Sequence, residues 1–323
     1  MAKVLIYGAG AIGSFLGYLL SEPKDGGECS IVENVALLGR KGHTQRIMDE
    51  GLRITFPEGT RSIKFKHCIS MLPEIEEVDF APDIIAVCVK THSIPSVLEE
   101  MTKSGLLNGR LKNAVMLLLM NGMGNREMFD LPNHEVFEGI TSIGVVFSEN
   151  GNIELKGKGK TILDGRLPES IKKFLQERFQ EKGFELEFSD DFKVHQWNKL
   201  FANAVINPIT ALTREKNGIA QSVHLKDTVK AIVEECVSVA RREGLDFSSV
   251  DVTDFVYSVA SKTSMNTSSM LQDVLKGKKT EIDSINGYIV RLARKHSIPV
   301  PVNETMLSLI KALETTGGTH ERV

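Results

Sequence analysis

Short, almost uninterrupted apolar runs punctuate the first half of the chain, and helical periodicity fills the second. Lys3–Tyr7 reads as a strand leading into a helix over Gly10–Ser21, followed by a polar, turn-rich loop at Glu22–Glu28. Further strands are predicted at Val35–Leu38, Asp83–Val89 and Ala114–Leu119. Continuous rather than alternating hydrophobicity suits strands covered on both faces, as in a parallel sheet. Leu52–Thr55 and Arg61–Phe65 alternate, which fits a hairpin or an excursion from that sheet. Phe137–Asp164 is strand-like and glycine-rich, Leu167–Lys182 is an amphipathic helix, and Glu185–Phe188 reads as the last strand. Beyond Asp190 the texture changes. Phe192–Ile206, Val223–Glu243, Val252–Ser264, Ser269–Leu275, Glu281–Lys295 and Asn303–Glu314 all carry the 3.6-residue period, and Thr316–Val323 reads as a frayed tail. The pattern therefore predicts an α/β N-terminal domain of the Rossmann type (residues 1–190) and an all-α C-terminal domain (residues 191–323), joined near Ser189–Asp191.

A length of 323 residues supports two domains, each large enough for its own core. With 39 Lys and Arg against 42 Asp and Glu, mixed along the chain, the net charge of -3 gives no nucleic-acid surface. No stretch approaches the ~18 apolar residues of a membrane span, and the N-terminal apolar run is too short for a signal peptide. Cys29, Cys68, Cys88 and Cys236 lack paired spacing, so reduced thiols, a metal-free site and a cytoplasmic location are expected. A homodimer is compatible with the sequence, which does not fix the oligomeric state.

Gly8-Ala9-Gly10-Ala11-Ile12-Gly13 follows the first strand and opens the first helix, the context that the G-x-G-x-x-G dinucleotide fingerprint requires. Gly8 permits the tight turn, Gly10 lets the backbone approach a pyrophosphate, and Gly13 lets helix and strand pack closely. A glycine turn without a ligand is the plainer alternative. Two residues compete to select the cofactor. Glu33, about 20 residues past the motif, would bind the ribose 2′-hydroxyl of NAD. Arg40, with Lys41 beside it, follows the better strand and would clamp the 2′-phosphate of NADP; the polar loop delays that strand, so NADPH is favoured. A solvated charge beside Lys41 is the less favoured alternative for Arg40. Lys90 and Asn121-Gly122 end two further strands, where ligands bind in open α/β sheets.

Lys199, Asn203 and Asn207 recur every four residues and so share one face of an otherwise apolar helix. Three buried polar groups in file would each cost roughly 1–3 kcal/mol if unpaired, which a polar ligand would relieve. A solvent-facing stripe explains the spacing equally well. Reduction of a ketone needs a proton for the oxygen as well as a hydride for the carbon, and a partly buried Lys199 could donate it. Ser268-Ser269 can cap a helix starting at Met270, with Asp273 as a late partner, and Thr280 reads as the N-cap of a helix beginning at Glu281.

Taken together, these segments resemble the ketopantoate reductase (2-dehydropantoate 2-reductase) family over nearly the whole chain. The resemblance rests on Gly8–Gly13, Val89-Lys90, Asn121-Gly122-Met123-Gly124, the Lys199/Asn203/Asn207 helix, and Ser268–Asp273 with Thr280–Asp283 and Asn286-Gly287; Ile298–Asn303 also matches. It implies NADPH-dependent reduction of 2-dehydropantoate to pantoate, a step toward pantothenate and coenzyme A. It further implies Lys199 as general acid, with Glu281 at the cofactor side of the catalytic site. Asn121, Asn203, Asn207, Asn217 and Ser269 would bind substrate. Arg40, Lys90, Asn121 and Val145 would join Gly8–Gly13 in holding the cofactor. The long Glu22–Asn34 segment departs from the family pattern. Two other readings remain: a related NADP-dependent reductase of another 2-keto or 3-hydroxy acid, and a non-catalytic NADP-binding sensor, against which Lys199 itself argues.

Overall fold

The computed structural model describes residues 2–22 and 31–316. All but Glu22 of the Glu22–Glu28 loop, together with Cys29 and the tail beyond Thr316, lies outside them. The chain divides into two compact units. One is Met1–Met120 with Asn125–Phe192; the other is Asn121–Gly124 with Lys193–Val323.

The first unit holds, among the described residues, an eleven-stranded sheet: β1 (Val4–Tyr7), β2 (Ile31–Leu38), β3 (Leu52–Phe56), β4 (Gly59–Ile69), β5 (Ile84–Val87), β6 (Val115–Leu119), β7 (Val136–Thr141), β8 (Gly144–Glu149), β9 (Asn152–Gly157), β10 (Thr161–Asp164) and β11 (Leu186–Ser189). Their order is β11-β10-β7-β6-β5-β1-β2-β4-β3-β9-β8. From β7 to β4 neighbouring strands run parallel. Every residue of β1, β5 and β6 is buried. Successive side chains of β1 enter different cores, Val4 and Ile6 on one face, Leu5 and Tyr7 on the other. That two-sided burial is why these strands lack alternation. The alternating pair forms an antiparallel hairpin, β3 with β4, and β4 then runs on beside β2 in parallel.

Strand β2 begins at Ile31, four residues before its expected start at Val35. Its polar first half is accommodated by pairing. Buried Asn34 donates to the Leu20 carbonyl and accepts from the Glu22 amide, both at 2.9 Å, and Glu33 lies 3.4 Å from Lys66. Strand β5 is shorter than the expected Asp83–Val89, although beyond its two ends the Asp83 amide still donates to the Lys3 carbonyl and the Cys88 amide to the Tyr7 carbonyl, both at 2.8 Å. Burial pushes the Cys88 thiol up to about 12, so it stays protonated at neutral pH.

The second unit is helical. Its central helix, Phe192–Thr213, runs seven residues past the expected end at Ile206 and passes through Pro208. A proline inside a helix removes one N–H and leaves the carbonyl four residues earlier without its donor. Here that carbonyl belongs to Ala204, and the Asn286 side-chain amide donates to it at 3.0 Å across 82 residues of sequence. Asn286 also donates to Asn303, which in turn donates to Glu235 at 2.7 Å. Glu235 accepts from the Val302 and Asn303 amides and so caps the Pro301–Thr316 helix. Asn286 is completely buried, so its loss would strand the Ala204 carbonyl away from water. Asn286→Ala should lower the unfolding free energy by about 2–3 kcal/mol. Urea denaturation should show a lower midpoint at unchanged slope, and a shift below roughly 0.5 kcal/mol would contradict this account.

Other boundaries moved for local reasons. The expected Glu281–Lys295 helix is a 3-10 turn, Ile282–Ser284, followed by a helix from Asn286; Ile285, with φ -107° and ψ -98°, breaks the two apart. Thr280 still caps, but its hydroxyl accepts from Ile282 of the short turn. Val223–Glu243 similarly resolves into a 3-10 turn, Val223–Leu225, and a helix over Lys226–Arg242. No helix among the described residues is long and apolar enough to cross a membrane.

Candidate active site

The glycine turn is latched onto the end of β2. The Gly8 and Ala9 amides both donate to the Leu38 carbonyl, at 2.9 and 2.8 Å. Gly8 has φ +104°, a conformation that strongly favours glycine. A Cβ on Gly13 would stand 2.2 Å from the Gly8 carbonyl oxygen, so helix and turn touch backbone to backbone. Gly10 differs: a Cβ there would point into open space. Its lack of a side chain therefore keeps room clear above the turn instead of relieving an internal clash. Ala11–Leu19 follows as a helix with no side-chain cap and no acidic residue in its first turn. Its leading N–H groups and positive dipole end are thus left for an anion. A clear approach and uncancelled donors fit a dinucleotide pyrophosphate.

Arg40 is exposed and stands two residues past the end of β2 as the N-cap of the Lys41–Glu50 helix. Gly39 before it packs on Ala9 of the glycine turn, where a Cβ would lie 3.0 Å from the Ala9 methyl. Glu33 sits five residues before the strand's end, occupied with Lys66. Lys90 follows β5 as the cap of a 3-10 turn. Val145 lies at an irregularity of β8, a strand that packs against the Ala11–Leu19 helix.

His43 carried no signal in the sequence, yet it ties this region together. Its Nδ1 accepts from the Gly151 amide at 2.9 Å, which places the ring proton on Nε2, facing the Ser14 hydroxyl at 2.9 Å. Burial pushes its pKa down to about 4, so the ring is neutral at physiological pH. It binds the Lys41–Glu50 helix to the Ala11–Leu19 helix and to the β8–β9 turn.

In the second unit, Lys199 donates to Asn121 Oδ1 at 2.9 Å, and Asn121 Nδ2 donates to Glu281 Oε2 at 3.1 Å. The amide of Asn121 thus presents its oxygen to the cation and its nitrogen to the carboxylate. Lys199 is half-buried and Glu281 buried. Burial pushes the Lys199 ammonium down to about 8, against the opposing pull of the Glu281 carboxylate. An ammonium tuned to that range can give up a proton near neutrality, as an ordinary lysine does not.

Asn203 is half-buried and Asn207 only 5% exposed, while Leu200, Phe201 and Val205 fill the core on the remaining faces. That burial excludes a solvent-facing stripe. Asn217, also buried, opens a 3-10 turn, Asn217–Gln221. Its Nδ2 donates to the Thr263 hydroxyl at 3.0 Å, and that hydroxyl has already given its proton to the Val259 carbonyl. The amide orientation is therefore fixed, and Asn217 Oδ1 is left buried without a donor among the described residues. Of the serine pair, Ser268 takes the cap, accepting from the Leu271 amide at 3.0 Å and sharing a proton with Thr210. Ser269 is exposed at the first position of the Ser269–Leu275 helix.

Residues 4–166 match the family model described as ketopantoate reductase PanE/ApbA, and residues 191–314 match the model of its C-terminal part. The chain is 32% identical to the 2-dehydropantoate 2-reductase of Pyrococcus horikoshii over 321 residues, 98% of this chain and 99% of that protein. It is 30% identical to the enzyme of the same name from Archaeoglobus fulgidus, over 97% of this chain and 98% of the relative. Among solved structures, a PanE/ApbA family ketopantoate reductase from Ralstonia eutropha superposes with a TM-score of 0.84 at 29% identity, covering 98% of this chain and 99% of that one. A D-mandelate dehydrogenase solved with NADH and anilino(oxo)acetate superposes with a TM-score of 0.83 at 25% identity, covering 98% of this chain and 100% of that one. With both of its parts matched by family models and its length matched by relatives, the chain belongs to the ketopantoate reductase PanE/ApbA family of oxidoreductases.

Proposed function

We propose that the chain reduces 2-dehydropantoate to pantoate with NADPH. In this reading residues 1–190 hold the cofactor, and residues 191–323, joined by Asn121, bind the substrate and supply the proton. The observation that carries it is the Lys199 ammonium, lowered to about 8 and held on Asn121 beside Glu281.

When bound, the reduced nicotinamide supplies a hydride. Gly8–Gly13 bind its pyrophosphate through backbone N–H groups, Arg40 takes the 2′-phosphate, and Lys90 and Val145 line the same cofactor. Lys199 Nζ holds a proton for the carbonyl oxygen, which becomes the hydroxyl as the carbon gains the hydride. Asn121 fixes the ammonium, and the Glu281 charge favours its return to the protonated form. Asn203, Asn207 and Ser269 offer neutral polar groups to the carboxylate and hydroxyl of the acid.

Structural likeness to a D-mandelate dehydrogenase raises a second reading, an aryl 2-keto acid as substrate. Asn217 favours the first. Its orphaned Oδ1 requires a donor, which the hydroxyl of 2-dehydropantoate supplies and a phenyl ring does not. A polar group left unpaired is a strong basis for rejecting a substrate that lacks the matching hydroxyl. NADPH oxidation with 2-dehydropantoate should exceed that with phenylglyoxylate, and also that with 3,3-dimethyl-2-oxobutanoate, the same acid without its hydroxyl. Asn217→Ala should lower kcat/KM for 2-dehydropantoate by about 10–100-fold and leave the deoxy acid nearly unchanged. Faster wild-type turnover of phenylglyoxylate would overturn the substrate assignment.

A further inference from the structure

Asn121 serves Lys199 and Glu281 at once, and an asparagine side chain has two torsions with which to do so. Its placement is therefore set by the backbone that carries it. That backbone, Asn-Gly-Met-Gly, packs with the second unit although it follows directly on β6. Gly122 has φ +76° and lies flat on Ser284: a Cβ there would stand 2.3 Å from Ser284 Oγ, 2.5 Å from its Cβ and 2.6 Å from its carbonyl oxygen. The Met123 amide donates to that same carbonyl at 2.9 Å, and the Met123 side chain is buried in the helical core. From its other end Ser284 grips Glu281, donating to the Glu281 carbonyl through its amide and its hydroxyl, both at 3.0 Å. One residue thus fixes the backbones of both partners of the ammonium.

We infer that the contact between the Asn121–Gly124 turn and Ser284 is the device that registers Asn121 and Glu281 on Lys199, making Gly122 and Ser284 positioning residues for the proton donor. The inference rests on the reading of Lys199 as that donor. Gly122 is glycine because the turn must close on a carbonyl; its left-handed φ alone would also admit asparagine at modest strain. Displacing a reacting group by about 1 Å can lower a rate 10²-fold, so a clamp of this kind acts on kcat while cofactor affinity stays the same.

Gly122→Ala in the full-length enzyme tests it. The added methyl meets backbone and must lift the turn from Ser284. The expected result is a fall in kcat of about 10–100-fold, with KM for NADPH within about threefold of wild type. In an Asn121→Ala background the same substitution should add less than about threefold, because the group that it misplaces is already gone. A wild-type kcat for Gly122→Ala, or a loss that persists undiminished in the Asn121→Ala background, overturns the inference. Should Gly122→Ala fail to fold, Ser284→Ala removes the hydroxyl grip on Glu281 and leaves the seat of the turn. A fall in kcat of about three- to tenfold that vanishes in a Glu281→Gln background supports the clamp, and an unchanged kcat refutes it. Lys199→Ala separates the two levels: an unchanged kcat there removes the donor reading itself, whereas a loss there with none in Gly122→Ala removes the clamp alone.

Discussion

Lys199→Ala lowers kcat for 2-keto acid reduction by roughly 10²–10⁴-fold, the expected loss when a positioned general acid is removed. The effect should fall on kcat more than on KM, since the proton moves only as the carbonyl is reduced. The pH profile carries the stronger test. With Lys199 as the donor, reduction would require the ammonium form, whose pKa burial lowers to about 8. In the wild-type enzyme log kcat/KM for reduction should therefore be level below that value and fall by about one per pH unit above it. Oxidation of the hydroxy acid needs the free amine and should show the mirror image, rising up to the same pH. Lys199→Ala should abolish this limb in both directions. Lys199→Arg keeps the positive charge but cannot give up a proton in the working range, so it should restore substrate KM more than kcat. A variant lacking the lysine that kept both its rate and its alkaline limb would remove the side chain from the chemistry.

The two halves of the molecule were legible from the sequence to different depths. The turn at Gly8–Gly13 was legible because Gly8 and Gly13 answer backbone requirements that appear as spacing, whereas Gly10 only leaves open space. The Lys199 face could be located but not oriented. A repeat of four places Asn203 and Asn207 in line with it, and only burial of Asn207 distinguishes an inward file from a wet stripe. Where polar residues are satisfied at long range, local reading fell short. Glu33 and Asn34 concealed the first half of β2, since their partners are Lys66 and the Leu20 carbonyl. The central helix outruns its expected end at Ile206, because the amide that replaces the donor missing at Pro208 sits on Asn286, far along the chain. Glu281 looked helical because Ile285 gives no sign in its side chain that the backbone turns there. His43 lies three residues past Arg40 with no periodic or motif context, and its role emerges only where Ser14 and Gly151 meet it. The turn at Asn121-Gly122 was recognised as a strand end, whereas its partner Ser284 is visible only in three dimensions.

Arg40→Ala should weaken NADPH by about 10–100-fold and leave NADH within about threefold. One charge-assisted hydrogen bond to a phosphate contributes about 1.5–3 kcal/mol, and each 1.4 kcal/mol is tenfold in affinity. The discrimination follows from the order of residues at the end of β2. Gly39 packs on Ala9 of the glycine turn, which sets the next residue beside that turn. That residue is an exposed arginine whose backbone caps the Lys41–Glu50 helix, so its guanidinium is free to meet an anion. The acid that would instead prefer an unmodified ribose, Glu33, is seven residues before Arg40 and paired with Lys66. Arg46 is the competing cation on the same helix, but Glu50 holds it at 2.7 Å. Binding of 2′,5′-ADP, which carries the distinguishing phosphate and no nicotinamide, isolates the contact from hydride transfer. Calorimetry should show its affinity falling with that of NADPH in Arg40→Ala. Equal losses for NADPH and NADH would move the phosphate to Lys41 or Arg46, and an NADH preference in the wild-type enzyme would make Arg40 a surface charge.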